Sequence, residues 1–215
     1  EYFGIPTDKI EVVYQGCDPS FIHPVAAEKK REIRAKYQLP DHYILNVGSI
    51  EERKNALSAV QALMMLPEQI HLVIVGRHTE YTDKIERFIK ENKLEKRVHI
   101  ISNVPFDDLP AFYQLAEIFV YPSRFEGFGI PIIEALYSGI PVVAATGSCL
   151  EEAGGPDSIY VHPDDIKGMA DAFKQIYSDT ERKKEMIEKG QKFAKRFSEE
   201  KQAVEILNIY KKLMK

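Results

Sequence analysis

Short runs of β-branched and aromatic residues alternate with helical patterns along most of this chain of 215 residues. Two parallel strands need a long crossover between them, and a helix usually supplies it, so the alternation predicts βα units. Several runs are apolar throughout, as expected for strands that helices cover on both faces. The predicted strands are Ile10–Tyr14, Tyr43–Val47, His71–Val75, Val98–Ile101, Ile118–Tyr121, Pro141–Ala144 and Ile159–Val161. The sequence therefore predicts an α/β fold, a Rossmann-like parallel sheet flanked by helices.

Helical periodicity fills the intervals between the strands and continues beyond the last one. The predicted helices are Ala26–Tyr37, Ala56–Met65, Thr82–Asn92, Asp107–Ala116 and Ile130–Ser138, followed by extra C-terminal helices at Asp165–Tyr177, Thr180–Ala194 and Ser198–Leu213. We expect the acidic pairs Asp107–Asp108 and Asp164–Asp165 to cap the helices that they begin.

The chain begins without Met, inside a segment that already reads as the middle of a fold. We therefore expect residues 1–24, which end in a Gly- and Pro-containing stretch without periodicity, to be an interdomain segment and linker from an N-terminal domain that lies elsewhere. Residues 25–197 are predicted to form the Rossmann-like domain. Residues 198–215 are predicted to form a helix that packs either on this domain or back on the missing half.

Composition disfavours several classes of function. The formal net charge of −4 argues against non-specific binding to nucleic acid, although a local basic patch could still hold a phosphate-bearing small molecule. No apolar run approaches the roughly 18 residues of a membrane span. Cys17 and Cys149 are isolated, so we expect reduced structural thiols and a cytoplasmic location. The 6 histidines are scattered and no DxD motif occurs, so no metal site is predicted.

The loop after the fifth predicted strand carries the strongest signal for chemistry. Gly127 and Gly129 allow the backbone to turn sharply and to approach a ligand, and Pro131 stands in the first turn of the next helix. The free amides of Phe128, Gly129 and Ile130, together with the helix dipole, predict an anion site suited to a diphosphate.

Two carboxylates frame this loop, Glu126 before it and Glu134 one turn into the helix. Because a carboxylate beside an anion site would repel phosphate, we expect these side chains to bind neutral hydroxyl groups. Glu126 could take sugar hydroxyls and Glu134 a ribose diol. The structural alternative is that the glycines only form a turn and that Glu134 stabilises the helix N-terminus electrostatically.

Other loops should meet at the same edge, because ligands of open parallel sheets lie outside the carboxyl ends of the strands. The loop GSIEERKN, which begins at Gly48, places Arg53 and Lys54 just before a helix. Their cations could stabilise a diphosphate leaving group as its negative charge grows; the alternative is a solvated loop with mutual ion pairs. A later loop could present backbone groups of Asn103 and Val104 to a base.

Several enzyme classes lack their motifs in this sequence. The loop GRHTEY follows a strand and a glycine, but GxGxxG and GxxxxGK[ST] are both absent. A Rossmann dinucleotide enzyme and a P-loop NTPase are therefore poorly supported. GxSxG is absent as well, and no constellation of a nucleophile with its base is visible.

The run EGFGIPIIE resembles the E-x7-E motif of the retaining GT-B glycosyltransferases of family four, the glycogen-synthase-like and mannosyltransferase-like group. Further blocks (NVGSIEERKN, HLVIVG, the stretch from VHIISNVPFDDL to GIPVVAA, and GSCLEEAGG) follow in the family's order, from roughly Ile10 to Lys195. The resemblance implies that the chain is the C-terminal, donor-binding half of a GT-B fold. It also implies an enzyme that transfers a hexose with retention from a nucleoside diphosphate sugar to a glycan or lipid-linked acceptor.

The resemblance implies a role for each matching residue. Glu126 contacts the transferred sugar and positions its anomeric carbon, Glu134 binds the ribose, and the amides of residues 128–130 hold the distal phosphate with Lys54. The predicted catalytic residues are Glu126, Lys54 and Arg53. The predicted donor-binding residues are Gly48, Ser49, Asn103, Val104, Gly127, Phe128, Gly129, Ile130 and Glu134.

Two positions depart from the family pattern. Many relatives carry Arg where this chain has Ser49, and we expect Arg53 to supply the missing charge. Relatives often have a Pro before the Glu of the block that reads GSCLEEAGG here, so Glu151 is left without an assigned role.

The resemblance leaves the substrates open. The donor is GDP- or UDP-linked, with mannose on GDP preferred from the RKN variant, and no further cofactor is required. The missing N-terminal half would supply the acceptor site and any catalytic base, so this half alone should be inactive. That half would also carry any peripheral contact with the inner face of a membrane. The alternatives are a non-catalytic nucleotide-sugar binding module and a GT-B epimerase or phosphorylase; the acid/base residues that an epimerase needs are not seen in this half.

Overall fold

The computed structural model describes residues 4–214. Residues 1–3 and 215, which belong to the predicted linker and the predicted C-terminal segment, lie outside the described residues. The strands are β1 (Tyr43–Val47), β2 (His71–Val75), β3 (Val98–Ile101), β4 (Ile118–Tyr121), β5 (Val142–Ala145) and β6 (Ile159–Val161). They pair in parallel in the order β3-β2-β1-β4-β5-β6, which is the strand order of a Rossmann fold. The predicted fold class is confirmed.

Helices cover both faces of this sheet. They are α1 (Ala27–Tyr37), α2 (Ala56–Leu63), α3 (Glu80–Glu91), α4 (Leu109–Leu115), α5 (Ile130–Tyr137), α6 (Leu150–Gly154), α7 (Ile166–Ser178), α8 (Thr180–Ala194) and α9 (Glu199–Leu213). Successive strand residues point to opposite faces, so Leu45 joins a core cluster with α4 and α5, while Ile44 joins one with α2 and α7. None of the helices among residues 4–214 is long and apolar enough to cross a bilayer.

The predicted strand Ile10–Tyr14 is wrong. Ile10 and Val12 are 51% and 69% exposed, and the segment pairs with none of the described strands. A β-branched run becomes a strand only where a neighbour satisfies its backbone groups. This part of the chain contacts the C-terminal helices instead, where the amide of Cys17 donates to the carbonyl of Phe197 at 3.0 Å.

One acidic pair caps a helix as predicted, through one of its members. The carboxylate of Asp165 accepts a hydrogen bond from the amide of Gly168 at 2.7 Å, in the first turn of α7. Asp164 pairs with Arg124 instead and so joins the loop after β6 to the loop after β4.

The capping role predicted for Asp107–Asp108 is wrong, since neither side chain makes a cap hydrogen bond. A 3-10 turn precedes α4, and the buried carboxylate of Asp108 is directed at α1. It accepts from Lys36 Nζ at 2.7 Å and from the Tyr37 hydroxyl at 2.8 Å. Asp108 therefore holds two helices together.

From β1 the chain adds β2 and β3 on one side of the sheet and then β4, β5 and β6 on the other side, so the switch point lies between β1 and β4. These strands are neighbours, with Ile44 opposite Ile118, so the loops that follow their carboxyl ends come together. In open α/β sheets such a switch point is where ligands bind. A ligand is therefore expected to bind at the carboxyl ends of β1 and β4.

Candidate functional site

A cation and a carboxylate meet at the switch point. Lys54 follows β1 and Glu126 follows β4, and Lys54 Nζ lies 2.8 Å from Glu126 Oε1. The side chains are 15% and 10% exposed, so the pair is largely shielded from water and its attraction is little screened. Two of the predicted catalytic residues are thus in direct contact.

Two hydroxyl groups complete the surroundings of this ion pair. The hydroxyl of Tyr121 lies 3.0 Å from Glu126 Oε1, and that of Ser123 lies 2.7 Å from the same oxygen. Burial opposes ionisation of Glu126, but the hydrogen bonds from Lys54, Ser123 and Tyr121 and the charge of Lys54 outweigh it. They hold the pKa of Glu126 below its usual value. Neither hydroxyl was predicted from the sequence, where Tyr121 reads as a strand residue.

Arg53 lies on the outer side of the pair. Its Nη1 is 3.2 Å from Glu126 Oε2 and donates to the carbonyl of Phe125 at 3.0 Å. Its Nε is 3.4 Å from Glu51, so the mutual ion pair considered for this loop is present. The amide of Arg124 donates to the Arg53 carbonyl at 2.8 Å, which joins the loop after β1 to the loop after β4.

Glycines allow the loops after β1 and β2 to touch. At Gly76 a Cβ atom would lie 1.9 Å from the carbonyl oxygen of Gly48, so this position admits no side chain. Gly48 in turn lies beneath Lys54, whose Nζ would be 3.5 Å from a Cβ there. Ser49 is half-buried next to Gly48, and a hydrogen bond from its side chain lowers the pKa of Glu51. Gly76 was not predicted as a site residue.

The loop before α5 leaves backbone amides free. Gly129 is the N-cap residue of α5, with φ +121°, and a Cβ there would lie 3.1 Å from Leu150. A Cβ at Gly127 would meet nothing within 4 Å, so that glycine leaves open space instead. The amides of Phe128, Gly129 and Ile130 have no acceptor among the described residues. The first amides of a helix lack intrahelical partners and attract anions.

The same loop is held from behind by a thiol and by aromatic rings. Cys149 Sγ lies 3.1 Å from the carbonyl oxygen of Glu126 and 3.3 Å from that of Phe128. The ring of Phe128 stacks on Tyr14 with 5.3 Å between centroids and meets the edge of Phe197 at 5.5 Å. These supports link the loop to distant parts of the chain, and no local sequence signal points to them.

The acidic pair at the start of α6 makes its contacts elsewhere. Glu151, which had no assigned role, accepts a hydrogen bond from the hydroxyl of Thr146, and Glu152 accepts one from the hydroxyl of Tyr14. Both carboxylates are exposed. Cys17 and Cys149 are free thiols, in keeping with the prediction of reduced cysteines.

Glu134 occupies a separate position one turn into α5. Its Oε2 accepts a hydrogen bond from the Tyr113 hydroxyl at 2.7 Å. Burial raises the pKa of Glu134; the Tyr113 hydrogen bond opposes that shift, and the charge of Asp18 adds to it. The carboxyl group of Glu134 in α5 is therefore easier to protonate than that of Glu126 in the preceding loop.

Asn103 and Val104 lie at the same edge but away from the ion pair. They follow β3, which is separated from β1 by β2. Asn103 is exposed with φ +59°, while Val104 packs against the core. The hydroxyl of Ser102 donates to the Gly76 carbonyl at 2.9 Å and joins this loop to the loop after β2. The structure thus places the two residues in the row of loops without bringing them to Glu126.

The sheet order and this row of loops match the C-terminal domain of GT-B glycosyltransferases, and comparison with known proteins supports that class. Residues 29–193 match the family of glycosyl transferases group 1, and the chain belongs to that family. The O-antigen chain mannosyltransferase B of Escherichia coli is 31% identical to it, over 98% of this chain and 56% of that protein.

Two further relatives agree with this family. The O-antigen chain mannosyltransferase RfbU of Salmonella typhimurium is 31% identical, over 81% of this chain and 46% of that protein. A glycosyltransferase from Rickettsia africae superposes with a TM-score of 0.92 at 25% identity, over 99% of this chain and 59% of that one. The chain therefore spans about half the length of each of these three relatives.

Proposed function

We propose that this chain binds the nucleotide-sugar donor of a retaining hexosyltransferase at the carboxyl edge of its sheet. The observation that carries the proposal is the contact of Lys54 Nζ with Glu126 Oε1, at 2.8 Å, beside the free amides that begin α5. A cation and free amides suit a diphosphate, and a carboxylate suits the hydroxyl groups of a sugar. The site thus offers matching groups for both halves of such a donor.

The diphosphate binds between Lys54 and the amides of Phe128, Gly129 and Ile130. As the bond to the sugar breaks, negative charge grows on the leaving phosphate, and preorganised donors stabilise that charge. Removing one such contact commonly costs about 3 kcal/mol of barrier. Arg53 adds a second cation, although two carboxylates already engage its guanidinium group.

The transferred sugar lies against Glu126, whose ionised carboxylate accepts hydrogen bonds from sugar hydroxyls and favours positive charge at the anomeric carbon. No side chain is assigned as a nucleophile. The leaving diphosphate helps to deprotonate the acceptor hydroxyl, which approaches from the same face of the sugar and gives retention.

The nucleoside extends away from β4. Glu134 binds the ribose diol, and the backbone of Asn103 and Val104 meets the base. Gly48 and Ser49 lie beneath the diphosphate, where the absence of a side chain at Gly48 gives the backbone room to approach it. These assignments follow the row of loops along the sheet edge.

The preferred donor is GDP-mannose, with a UDP-linked hexose as the alternative. Support for mannose comes from two mannosyltransferases, each 31% identical to this chain. The RKN sequence at residues 53–55 points the same way.

A further domain of the enzyme binds the glycan or lipid-linked acceptor and carries any catalytic base and membrane contact. This division is proposed because the chain covers 56% and 46% of the two mannosyltransferases. Residues 25–197 then form the donor domain, residues 1–24 connect it to the acceptor domain, and the segment from residue 198 packs across both. The free thiols are compatible with a cytoplasmic site of action.

A transfer assay tests the proposal on the enzyme that contains this chain. GDP-mannose or UDP-glucose is incubated with glycan or lipid-linked acceptors, and release of nucleoside diphosphate is followed together with the anomeric configuration of the product. Transfer with retention of configuration is expected for the unmodified enzyme, and the Lys54→Ala variant is expected to lose transfer. Binding of donor without release of nucleotide would instead indicate a non-catalytic module. Interconversion of free nucleotide sugars would indicate an epimerase.

A further inference from the structure

Tyr121 touches both members of the ion pair. It ends β4, it is 2% exposed, and its hydroxyl lies 2.7 Å from Lys54 Nζ and 3.0 Å from Glu126 Oε1. Lys54 Nζ also lies 5.1 Å from the centroid of the Tyr121 ring. The Tyr121 side chain therefore contacts both the cation and the carboxylate at the point where they meet.

The directions of these hydrogen bonds follow from chemistry. An ammonium group has donors only, so the Tyr121 hydroxyl must accept from Lys54. Its single proton then goes to Glu126, whose ionised carboxylate only accepts. Burial first, and the neighbouring charge of Glu126 second, raise the pKa of Tyr121 and keep its hydroxyl a donor.

The two carboxylate oxygens of Glu126 differ in their number of hydrogen-bond partners. Oε1 accepts from Lys54 at 2.8 Å, from Tyr121 at 3.0 Å and from Ser123 at 2.7 Å, which more than fills its two lone pairs. Oε2 has one described partner, Arg53 at 3.2 Å, and the Arg53 side chain is 46% exposed. Oε2 is thus the oxygen that remains open to a ligand.

We propose that Tyr121 is a positioning residue of the transfer reaction, whose hydroxyl fixes the Glu126 carboxylate so that Oε2 faces the sugar while Lys54 stays beside the diphosphate. The proposal rests on the proposed function, because Tyr121 acts through Glu126 and Lys54 and touches no part of the donor itself.

A purely structural role predicts a different result. The Tyr121 ring packs on Phe119 with 5.9 Å between centroids, and a phenylalanine would preserve that packing. Tyr43 is a matched control at the amino-terminal end of β1, whereas the site lies at the carboxyl ends of the strands. It is fully buried, and its hydroxyl donates to the carbonyl of Phe112 at 2.6 Å. Tyr43→Phe therefore removes one buried hydrogen bond without changing the site.

The first test follows the titration of Glu126 by carbon-13 NMR of the labelled carboxyl group in Tyr121→Phe, Tyr43→Phe and the unmodified chain. The titratable and charged groups that face Glu126 are Lys54, Arg53, Tyr121 and Cys149. Loss of a donor to the ionised form should move the pKa of Glu126 upward in Tyr121→Phe only. An unchanged pKa in a folded variant would overturn the proposal, and this readout requires no substrate.

The second test measures kinetics in the enzyme that contains the chain. Tyr121→Phe should lower kcat about tenfold and move the acid limb of its pH profile upward, while the Kd for the nucleoside diphosphate changes less than about threefold. Tyr43→Phe should leave all three unchanged. A kcat within twofold of the unmodified enzyme would overturn the proposal even if Lys54→Ala is inactive. Retention of full activity by Lys54→Ala would instead contradict the proposed function.

Discussion

Lys54 Nζ and Glu126 Oε1 lie 2.8 Å apart, although one residue follows β1 and the other follows β4. Without a ligand, the cation and the carboxylate therefore compensate each other. A diphosphate that binds beside Lys54 must share it with Glu126 and must tolerate the negative charge of that carboxylate. The pair consequently couples donor binding to sugar positioning.

This coupling predicts opposite effects of Glu126→Gln on binding and on transfer. The amide keeps the shape but removes the charge, so Lys54 is released toward phosphate and a repulsive charge disappears. We expect nucleoside diphosphate to bind as tightly as before or several-fold more tightly, by calorimetry, while transfer falls on the order of a hundredfold. The control is Glu95→Gln, at an exposed carboxylate that precedes β3. Weaker nucleotide binding in Glu126→Gln would contradict this account of the pair.

The raised pKa of Glu134 predicts that its contribution to the free energy of unfolding depends on pH. Its pKa is raised in the folded chain, chiefly by burial, so the protonated form favours folding. Its contribution is present below the unfolded pKa of about 4.3 and is lost as pH rises through the folded value. Glu134→Gln mimics the protonated form and should raise the free energy of unfolding at pH 7, as measured in urea. An equal or lower stability of the variant at pH 7 would contradict the argument.

Glu126 should behave in the opposite way. Because its folded pKa is lowered, its contribution to stability is present above the unfolded pKa and is lost as pH falls through the folded value. Urea denaturation between pH 7 and pH 3 should show less acid destabilisation in Glu126→Gln than in the unmodified chain. An identical pH dependence of the two proteins would count against the ion pair as described.

The strands show how much of the fold can be predicted locally. Parallel strands buried on both faces need apolar β-branched runs, so the predicted β5 differs from the observed one by a single residue at each end. Ile10–Tyr14 has the same composition but no neighbouring strand, and pairing is not a local property. The helix Leu150–Gly154 was missed because five residues are too few to establish helical periodicity.

The site likewise contains some residues that local sequence predicts and others that only the fold brings together. Lys54 and Glu126 were predictable because their loops follow strands and carry charge beside glycines. Tyr121 was not, because a tyrosine that ends an apolar run reads as core, and only the fold brings its hydroxyl to both charged groups. The stacking of Tyr14 on Phe128 joins distant segments and left no local signal. The prediction that Arg53 supplies the charge missing at Ser49 stays a prediction.

Two glycines near the site should respond very differently to the same substitution. Gly76→Ala places a Cβ 1.9 Å from the backbone of Gly48, so the loops after β1 and β2 must separate. We expect a loss of about 3 kcal/mol or more in the free energy of unfolding, as for severe overpacking. Gly127→Ala meets nothing within 4 Å and should change stability by less than about 1 kcal/mol. Equal effects of the two substitutions in urea denaturation would refute this description of the loops.

The most direct test of the central claim is calorimetric titration of the chain with GDP, UDP and ADP, each with and without magnesium. The unmodified chain is compared with Lys54→Ala and with Lys96→Ala. Lys96 is an exposed lysine just before β3, at the amino-terminal end of that strand and away from the site. We predict that one nucleotide binds without metal, that Lys54→Ala weakens it at least tenfold, and that Lys96→Ala leaves it unchanged. Absence of binding by every nucleotide to the folded chain, or equal binding by Lys54→Ala, would contradict a donor site at the Lys54–Glu126 pair.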